Sequence, residues 1–228
     1  MADLVDDVSA WNKYPHHHKF FNKLWLAEKL GHKCGPASVR VPKEDYYIVR
    51  PIYNLRGMGL QTMELYLRPD VEDTLRPGFF SCEQFEGLHF TFDLKFNWSG
   101  PPFWKVTRGY RCEKRRITRG KFMQAQRFEF TKFTKEPMFG HVTLPHFFHE
   151  LSDVGTINIE MIDDKIIEAH LRSNPDPGDG KDYDEMIPVW QNEEVISDQY
   201  LEQGYTWIES FDDADNQLAN PRLGFLVK

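Results

Sequence analysis

Apolar side chains between residues 20 and 30 recur at an interval of three or four positions, with Phe20, Leu24, Ala27 and Leu30 in register. This interval places side chains on one face of an α-helix. Gly31 follows directly, and glycine is the residue type that most readily ends a helix. The pattern predicts a short amphipathic helix over 20–30.

Elsewhere the apolar residues form short runs that are rich in β-branched and aromatic types and bounded by turn residues. Such runs are typical of strands. They predict strands at 39–41, 45–50, 79–83, 88–96 and 128–133 and across 157–171. Together, the helix and the mostly antiparallel strand pattern predict an α+β fold.

Two alternating runs flank Asp163-Asp164-Lys165 and predict a β-hairpin over 156–172. With a three-residue turn, Ile162 pairs with Ile166. Side chains two positions apart share one face of a strand. This register places four polar residues on one face as two opposed pairs: Glu160 with Glu168, and Asn158 with His170. The opposite face is predicted to carry Ile159, Met161, Ile167, Ala169 and Leu171.

Two directly opposed carboxylates repel each other, at a cost of roughly 0.2–1 kcal/mol, unless a cation lies between them. One or two carboxylates, completed by phosphate oxygens and water, suit Mg²⁺. The hairpin therefore predicts a magnesium site at Glu160 and Glu168. Two alternatives stay open. The polar face is solvated and neutralised by Lys165 or Arg172, or a two-residue turn shifts the register and separates the carboxylates.

The length of 228 residues fits one domain or two small lobes, and 40% apolar residues are enough to form a core. No stretch reaches the roughly 20 apolar residues of a membrane span, and residues 1–7 are acidic where a signal peptide would be basic. We therefore expect a cytoplasmic protein without a membrane partner. Three irregularly spaced cysteines, Cys34, Cys82 and Cys112, are expected to be reduced thiols.

The formal net charge of −7 hides an uneven distribution. Residues 105–135 are strongly basic, whereas residues 176–215 are strongly acidic. The two segments can pair within the molecule, or the basic segment can bind a polyanion such as a nucleotide or a nucleic acid. Turn-forming residues at 173–180 indicate a boundary before the C-terminal segment.

A run of three histidines, His16-His17-His18, is the one low-complexity feature of the chain. Adjacent histidines on one chain rarely converge on a metal without other partners. The run is therefore interpreted as a local surface feature.

Four stretches of the chain carry a familiar order of motifs. In the first, 22–31, Lys23 opens a helix that ends at a glycine and soon reaches a proline. In the second, 47–51, a strand ends in Arg50-Pro51 and leads to Gly57-Met-Gly59.

The third stretch is a strand with the segment after it, and it carries Glu83, Phe85 and His89. The fourth is the hairpin, where an acid is followed by Glu168-Ala-His170. Over about residues 20–175, this order resembles the ATP-grasp superfamily of ATP-dependent carboxylate-amine ligases, of which D-alanine:D-alanine ligase is typical.

The resemblance implies two α+β lobes with mostly antiparallel sheets around a nucleotide site. It implies an N-terminal lobe at 1–80, a nucleotide- and metal-binding lobe at 81–175, and an acidic C-terminal segment at 176–228 that packs on the body. The residues expected to bind ATP are Lys23, Arg50, Gly57, Gly59, Glu83, Phe85 and His89. Those expected to bind Mg²⁺, with Mn²⁺ as an alternative, are Glu168, Glu160, Asn158 and His170. The candidates for steadying the transferred phosphoryl group are Arg172, Arg108 and Arg111.

Three positions depart from the family pattern. Arg50 stands where the family has lysine, His89 where it has an acid, and His170 where it has asparagine. The implied activity is phosphorylation of a carboxylate by ATP, followed by displacement of phosphate by an amine. The alternatives are a nucleotide-binding module without turnover and a nucleic-acid-binding protein that uses residues 105–135.

Overall fold

The computed structural model of the chain describes residues 6–56, 61–70, 75–101, 103–118, 126–136, 142–191, 198–212 and 221–228. The helices in these ranges are short: α1 (Asp7–Lys13), α2 (Lys23–Lys29), α3 (Asp198–Glu202) and two 3-10 helices, Pro15–Phe21 and His146–Leu151. The strands are β1 (Cys34–Pro36), β2 (Asp45–Pro51), β3 (Met63–Leu67), β4 (Phe79–Glu83), β5 (His89–Phe96), β6 (Trp104–Thr118), β7 (Gln126–Lys135), β8 (Thr156–Ile162), β9 (Lys165–His170), β10 (Glu185–Trp190), β11 (Thr206–Asp212) and β12 (Arg222–Val227). No helix within the described ranges is long and apolar enough to cross a membrane.

All strand pairings among the described residues are antiparallel, which confirms the predicted α+β class with a mostly antiparallel sheet. The main path of the sheet is β1-β4-β2-β3-β7-β6-β5-β8-β9, and β10 joins it through β7 and continues to β12 and β11. Arg50 of β2 nevertheless reaches β9, where its Nη2 donates to the Ile167 carbonyl at 2.9 Å. The sheet is therefore strongly curved, so that β2 and β9, which are far apart in the strand order, face each other.

The predicted helix over 20–30 is divided into two elements. Pro15 starts a 3-10 helix that ends at Phe21, and α2 begins at Lys23. The division falls at Asn22, whose side chain accepts a hydrogen bond from the Trp25 amide at 2.9 Å and so caps α2. Gly31 has a φ of +76°, as expected for a residue that ends a helix.

The strands predicted at 45–50, 79–83, 88–96 and 128–133 are present as β2, β4, β5 and β7. The strand predicted at 39–41 is wrong, since Val39 lies in a bend and residues 40 and 41 belong to neither a helix nor a strand. Ser38, directly before it, has a φ of +73° and belongs to the turn that follows β1. Val41 is buried without being part of the sheet, so its apolar character reflects packing and not strand formation.

The hairpin of β8 and β9 has the two predicted polar pairs, but the predicted three-residue turn and the predicted pair of Ile162 with Ile166 are wrong. Its turn is the two-residue Asp163-Asp164, so Ile162 pairs with Lys165. A β-bulge on β9 then adds one residue, which restores the pairing of Glu160 with Glu168. Asn158 also pairs with His170, as predicted.

The same bulge changes which isoleucine lies in the core. Ile167 was predicted on the apolar face, but it lines the cavity on the polar side. Ile166 takes its place among the buried apolar residues. The apolar faces of β5, β8 and β9 pack against α1, α2 and the two 3-10 helices through Phe92, Leu94, Ile157, Ile159, Phe20, Leu26 and Phe148.

The C-terminal segment extends the sheet, because β10 pairs with β7. Trp190 is 3% exposed, and its indole Nε1 donates to the Phe130 carbonyl at 3.2 Å. Basic and acidic segments also pair here. Lys132 lies 2.9 Å from Glu185, and Lys135 lies 2.6 Å from Asp182. The division of the chain at 80/81 and 175/176 stays a prediction.

Candidate functional site

A cavity of about 760 Å³ lies on the polar side of β5, β8 and β9. Side chains from β2, β4, β10 and the start of α1 also line it, because the sheet curves. A volume of this size is in the range of small-molecule sites, which is roughly 300–1,000 Å³. Most of the predicted site residues lie at this cavity: Arg50, Glu83, Phe85, His89, Asn158, Glu160, Glu168, His170 and Arg172.

Two cations converge on one of the opposed carboxylates. Lys23 forms an ion pair with Glu168 through its ammonium group, and Arg50 approaches the second oxygen of Glu168 at 3.4 Å. The three side chains are only 9%, 12% and 14% exposed for Lys23, Arg50 and Glu168. The cluster is therefore largely removed from water, where charges interact strongly.

Local structure explains why these two cations meet. Lys23 is the first residue of α2, and its amide donates to the Ile52 carbonyl at 2.9 Å, which ties α2 to the end of β2. Arg50 pairs with Phe80 of β4, and its guanidinium lies 5.4 Å from the centre of the Phe80 ring. The Lys23 side chain does not line the cavity itself but lies behind Glu168.

Arg50 has an unused hydrogen-bond donor. Its Nη1 and Nη2 contact Glu168 and the Ile167 carbonyl, whereas its Nε is buried without a partner among the described residues. A buried donor without a partner is costly, at about 1–3 kcal/mol. An anion bound beside Arg50 would supply the missing acceptor.

The other carboxylate, Glu160, lies between two histidines. His89 Nε2 is 3.2 Å from one Glu160 oxygen, and His170 Nε2 is 3.7 Å from the other. Burial raises the pKa of Glu160, but hydrogen bonds and positive charge from His170 and His89 outweigh it and hold the pKa well below its usual range. The structure thus brings His89 to a carboxylate and not to an open part of the cavity.

Glu168 is ionised for a related reason. Burial raises its pKa, and Glu160 acts in the same direction, but Lys23, His170 and Arg50 lower it further than that. Two negatively charged carboxylates therefore face each other across the hairpin, and protein cations neutralise them. Lys165 and Arg172, the cations considered for this role from the sequence, pair instead with Asp164 and Asp7.

Asp7, in the first turn of α1, is the residue at this site that sequence reasoning missed. It is 3% exposed, and its carboxylate lies 2.9 Å from His170 Nδ1 and 2.9 Å from Arg172 Nε. Burial raises the pKa of Asp7, but His170 and Arg172 lower it to about 2. The only feature that pointed to it was the cluster of acids near the start of the sequence, which is common on solvated surfaces.

Asp7 in turn sets the charge of His170. Burial lowers the pKa of His170, but Asp7 and Glu160 together raise it further than that, to about 9. The imidazole therefore carries protons on both nitrogens at neutral pH and has no lone pair to offer a metal. His170 acts in this state as a cation beside Glu160 and Glu168, which lie 3.7 and 3.6 Å from its Nε2.

Asn158 is fixed by β5 on the floor of the cavity. Its amide nitrogen lies 2.8 Å from Thr91 Oγ1, 2.9 Å from Asp93 Oδ1 and 3.2 Å from the Phe92 carbonyl. Since the nitrogen donates to these acceptors, the amide is held in one orientation. Asp93 also accepts from Arg108 Nε at 2.8 Å, and Arg108 further contacts the carbonyls of Asn174 and Asp176.

The remaining predicted residues divide into three groups. Glu83 and Phe85 line the cavity, and one Glu83 oxygen accepts from the Lys33 amide at 2.8 Å. Arg108 and Arg111 do not line it, and Arg111 is 40% exposed beside Glu136. Gly57 and Gly59 lie outside the described residues.

The donor set of the hairpin fits a magnesium ion through its carboxylates. Glu160 and Glu168 are both ionised, are directly paired and border the same cavity. Carboxylate oxygens suit Mg²⁺, whereas imidazole does not. The sequence-derived ligand set therefore fits best in its two glutamates.

Comparisons with known proteins identify no family for the chain. No protein-family model matches it. No curated protein matches it. Among solved structures it is similar to an L-amino acid ligase from Bacillus licheniformis, with a TM-score of 0.41 and 12% identity over 68% of this chain. The chain corresponds to 41% of that ligase and so spans about two fifths of its length. A likeness this distant carries no conclusion about function.

Proposed function

We propose that the cavity binds ATP together with Mg²⁺ and that the protein is a ligase that joins a carboxylate to an amine. One observation carries the proposal: Lys23 and Arg50 converge on Glu168, directly opposite Glu160, at the border of a cavity of about 760 Å³. These are the residues that the ATP-grasp resemblance assigns to phosphate and metal. The resemblance was based on their order in the sequence, and the contacts between them are an independent observation.

A purely structural role explains this cluster poorly. Replacing a buried ion-pair network by apolar residues is often neutral or stabilising, so buried charges are weak evidence for a role in stability. Glu160, Glu168 and His170, whose pKa values are shifted, nevertheless lie together with Arg50 at the border of a cavity, and Lys23 lies directly behind Glu168. Groups with strongly shifted pKa values in a cleft are typical of functional sites.

In the proposed mechanism, Mg²⁺ replaces Lys23 and Arg50 as the cation that neutralises the glutamates. Lys23 and Arg50 now neutralise Glu168, and the two histidines flank Glu160. Mg²⁺ held by the two glutamates would take over that neutralisation and would shield phosphate oxygens. Arg50 would then be free to bind a phosphate, which would give its unused Nε an acceptor, and Lys23 would be free to turn from behind Glu168 toward the phosphates.

The chemical steps of the proposed reaction are those that the ATP-grasp resemblance implies. A carboxylate oxygen of the substrate attacks the γ-phosphorus, and ADP leaves, which gives an acyl phosphate. The amine nitrogen then attacks the acyl carbon, loses a proton, and inorganic phosphate leaves. Lys23 and Arg50 orient the phosphates and balance the charge on the transferred group. Arg172 also borders the cavity, but Asp7 binds it, so its role here is to position His170.

The nucleic-acid alternative gains no support from the described part of residues 105–135. Four of its basic side chains pair with acids of the same chain: Arg108 with Asp93, Arg111 with Glu136, Lys132 with Glu185, and Lys135 with Asp182. A surface that binds phosphate backbones needs its cations available to the ligand.

Calorimetric titration of ATP in the presence and absence of Mg²⁺ tests the proposed site. Lys23→Met should weaken Mg²⁺-ATP binding about tenfold or more, because a hydrogen bond to a charged group contributes about 1.5–3 kcal/mol. Glu168→Gln should act differently. It releases Lys23 and Arg50 and removes a metal ligand, so ATP affinity should become nearly independent of Mg²⁺.

The exposed ion pair of Lys19 and Glu150 offers a matched control with the same residue types. Lys19→Met and Glu150→Gln should leave the titration unchanged. Absence of ATP binding by the unmodified protein would refute the nucleotide site. Equal effects of the two lysine substitutions would show that net charge, and not the cluster, governs binding.

The ligase step needs a separate readout. Hydroxylamine traps an acyl phosphate as a hydroxamate, so ATP, Mg²⁺ and a set of carboxylates should yield hydroxamate and ADP in equal amounts. ATP binding without hydroxamate, over a broad set of carboxylates, would favour the nucleotide-binding module without turnover.

A further inference from the structure

A second cluster of metal-binding residue types lies away from the cavity. His16 and His17 belong to the 3-10 helix Pro15–Phe21, and Asp153 lies in the turn between the 3-10 helix His146–Leu151 and β8. His16 Nε2 is 2.8 Å from one Asp153 oxygen, and His17 Nε2 is 2.7 Å from the other. The partner that adjacent histidines need for a metal site is therefore present, 136 residues further along the chain than His17.

The ligand atoms are already close to the spacing that a metal requires. One potential ligand atom from each residue lies within 4.8 Å of the others. Around a tetrahedral zinc ion with ligands at about 2.0–2.2 Å, neighbouring ligand atoms are roughly 3.3 Å apart. The two histidines contact different oxygens of Asp153, so binding one ion requires the three ligand atoms to adjust from a spacing of up to 4.8 Å to roughly 3.3 Å, by side-chain rotation.

Both segments are held in place by other contacts. The His17 amide donates to the Tyr14 carbonyl at 3.0 Å, and the His17 ring lies 6.1 Å from the Phe20 ring. Tyr14 also reaches the turn, since its hydroxyl donates to the Val154 carbonyl at 3.4 Å. The two ring nitrogens and the carboxylate are thus brought together by the fold and not only by their mutual hydrogen bonds.

One side of the cluster is exposed to solvent, so a water molecule can reach an ion bound there. The His17 side chain is 7% exposed, whereas those of His16 and Asp153 are 59% and 51% exposed. An ion at this place would be covered by protein on one side and would face solvent on the other. Three protein ligands and a water complete a four-coordinate site.

We propose that His16, His17 and Asp153 form a zinc site. Two imidazoles and one carboxylate suit Zn²⁺ and similar transition metals, in contrast to the hard oxygen donors that suit Mg²⁺. The ion would link the segment between α1 and α2 to the turn before β8. It would therefore stabilise the arrangement of three elements that build the first site, since Asp7 of α1 and Glu160 of β8 line the cavity and Lys23 of α2 binds Glu168.

Titration with Zn²⁺ by calorimetry, supported by the visible spectrum of a Co²⁺ complex, tests the site. We expect one ion per chain and a higher unfolding temperature with Zn²⁺. Asp153→Asn and His16→Ala should each weaken zinc binding more than tenfold. Substitution of a residue that only hydrogen-bonds to a metal ligand already lowers affinity about 10–100-fold. Both side chains are half exposed, so the variants should fold.

His18→Ala is the matched control, because His18 lies in the same run but its Nε2 contacts the Trp11 carbonyl at 2.9 Å. Zinc affinity should be unchanged in this variant. It should also be unchanged in Glu168→Gln, which separates this site from the cavity. No zinc binding by the unmodified protein, or equal losses in His16→Ala and His18→Ala, would overturn the proposal.

Discussion

Replacing Asp7 by asparagine should change how the stability of the protein depends on pH. Burial lowers the pKa of His170, but Asp7, helped by Glu160, raises it from 6.5 to about 9, so the folded chain keeps a proton that the unfolded chain loses. Stability from a raised pKa is fully present below pH 6.5 and is lost as the pH rises through about 9. In Asp7→Asn the anion is gone, and this loss should largely disappear.

The size of the effect follows from the two pKa values. One pH unit corresponds to about 1.4 kcal/mol, so a rise from 6.5 to about 9 contributes about 3 kcal/mol. The lowering of the Asp7 pKa from 3.8 to about 2, to which His170 and Arg172 both contribute, gives about 2 kcal/mol from the side of its partner. The two values describe one ion pair and are not added. The value from His170 applies here, because His170 is the group that titrates between pH 6.5 and 9.

Urea unfolding of both proteins at several pH values between 6 and 9.5 measures the effect. The stability difference should be about 3 kcal/mol at pH 6 and should decrease by roughly that amount by pH 9.5. Buried thiols also affect stability in this range, but they contribute equally to both proteins and cancel in the difference. A stability difference that is constant from pH 6 to 9.5 would refute the assignment of a cationic His170.

Three further predictions concern packing and thiol chemistry. Gly224→Ala should destabilise the protein by about 3 kcal/mol or more in urea unfolding, because a Cβ there would overlap the Ile208 carbonyl oxygen. Gly204→Ala, at a φ of +86° with open space around it, should cost only about 1–2 kcal/mol. Phe148→Ala should cost about 3–5 kcal/mol by the same method, since the ring is fully buried, and a value below 1 kcal/mol would contradict this packing. The three cysteines should react slowly with a thiol reagent at pH 8 and rapidly after unfolding, because burial raises the pKa of all three thiols; fast reaction of two or more in the folded state would contradict their burial.

The sequence predicts those elements of the fold that depend on local pattern. β2, β4, β5 and the hairpin follow from short apolar runs and turn residues. β6 does not, although Trp104, Val106, Tyr110 and Cys112 are buried along it. The basic residues between them dominate the pattern, so the segment was interpreted by its charge. The β9 bulge has no sequence signature of its own, and it decides the faces of Ile166 and Ile167.

The residues of the candidate site likewise include some that local sequence predicts and some that depend on the tertiary structure. The opposed glutamates could be predicted, because a hairpin relates residues that are close in sequence. Lys23 and Arg50 came from the order of motifs, but their contact with Glu168 depends on the curvature of the whole sheet. Asp7 has no motif at all. Its role arises only because α1 packs beside β9, which no spacing within the sequence specifies.

The long separations within the cluster have a consequence for how the chain folds. Lys23 and Glu168 are 145 residues apart, Arg50 and Glu168 are 118 apart, and Asp7 and His170 are 163 apart. Contacts over such distances require closure of large loops, which slows folding and places these contacts late. A partly folded chain would hold the hairpin with its two glutamates but without their cations. Recovery of ligand binding should therefore lag behind recovery of strand structure during refolding.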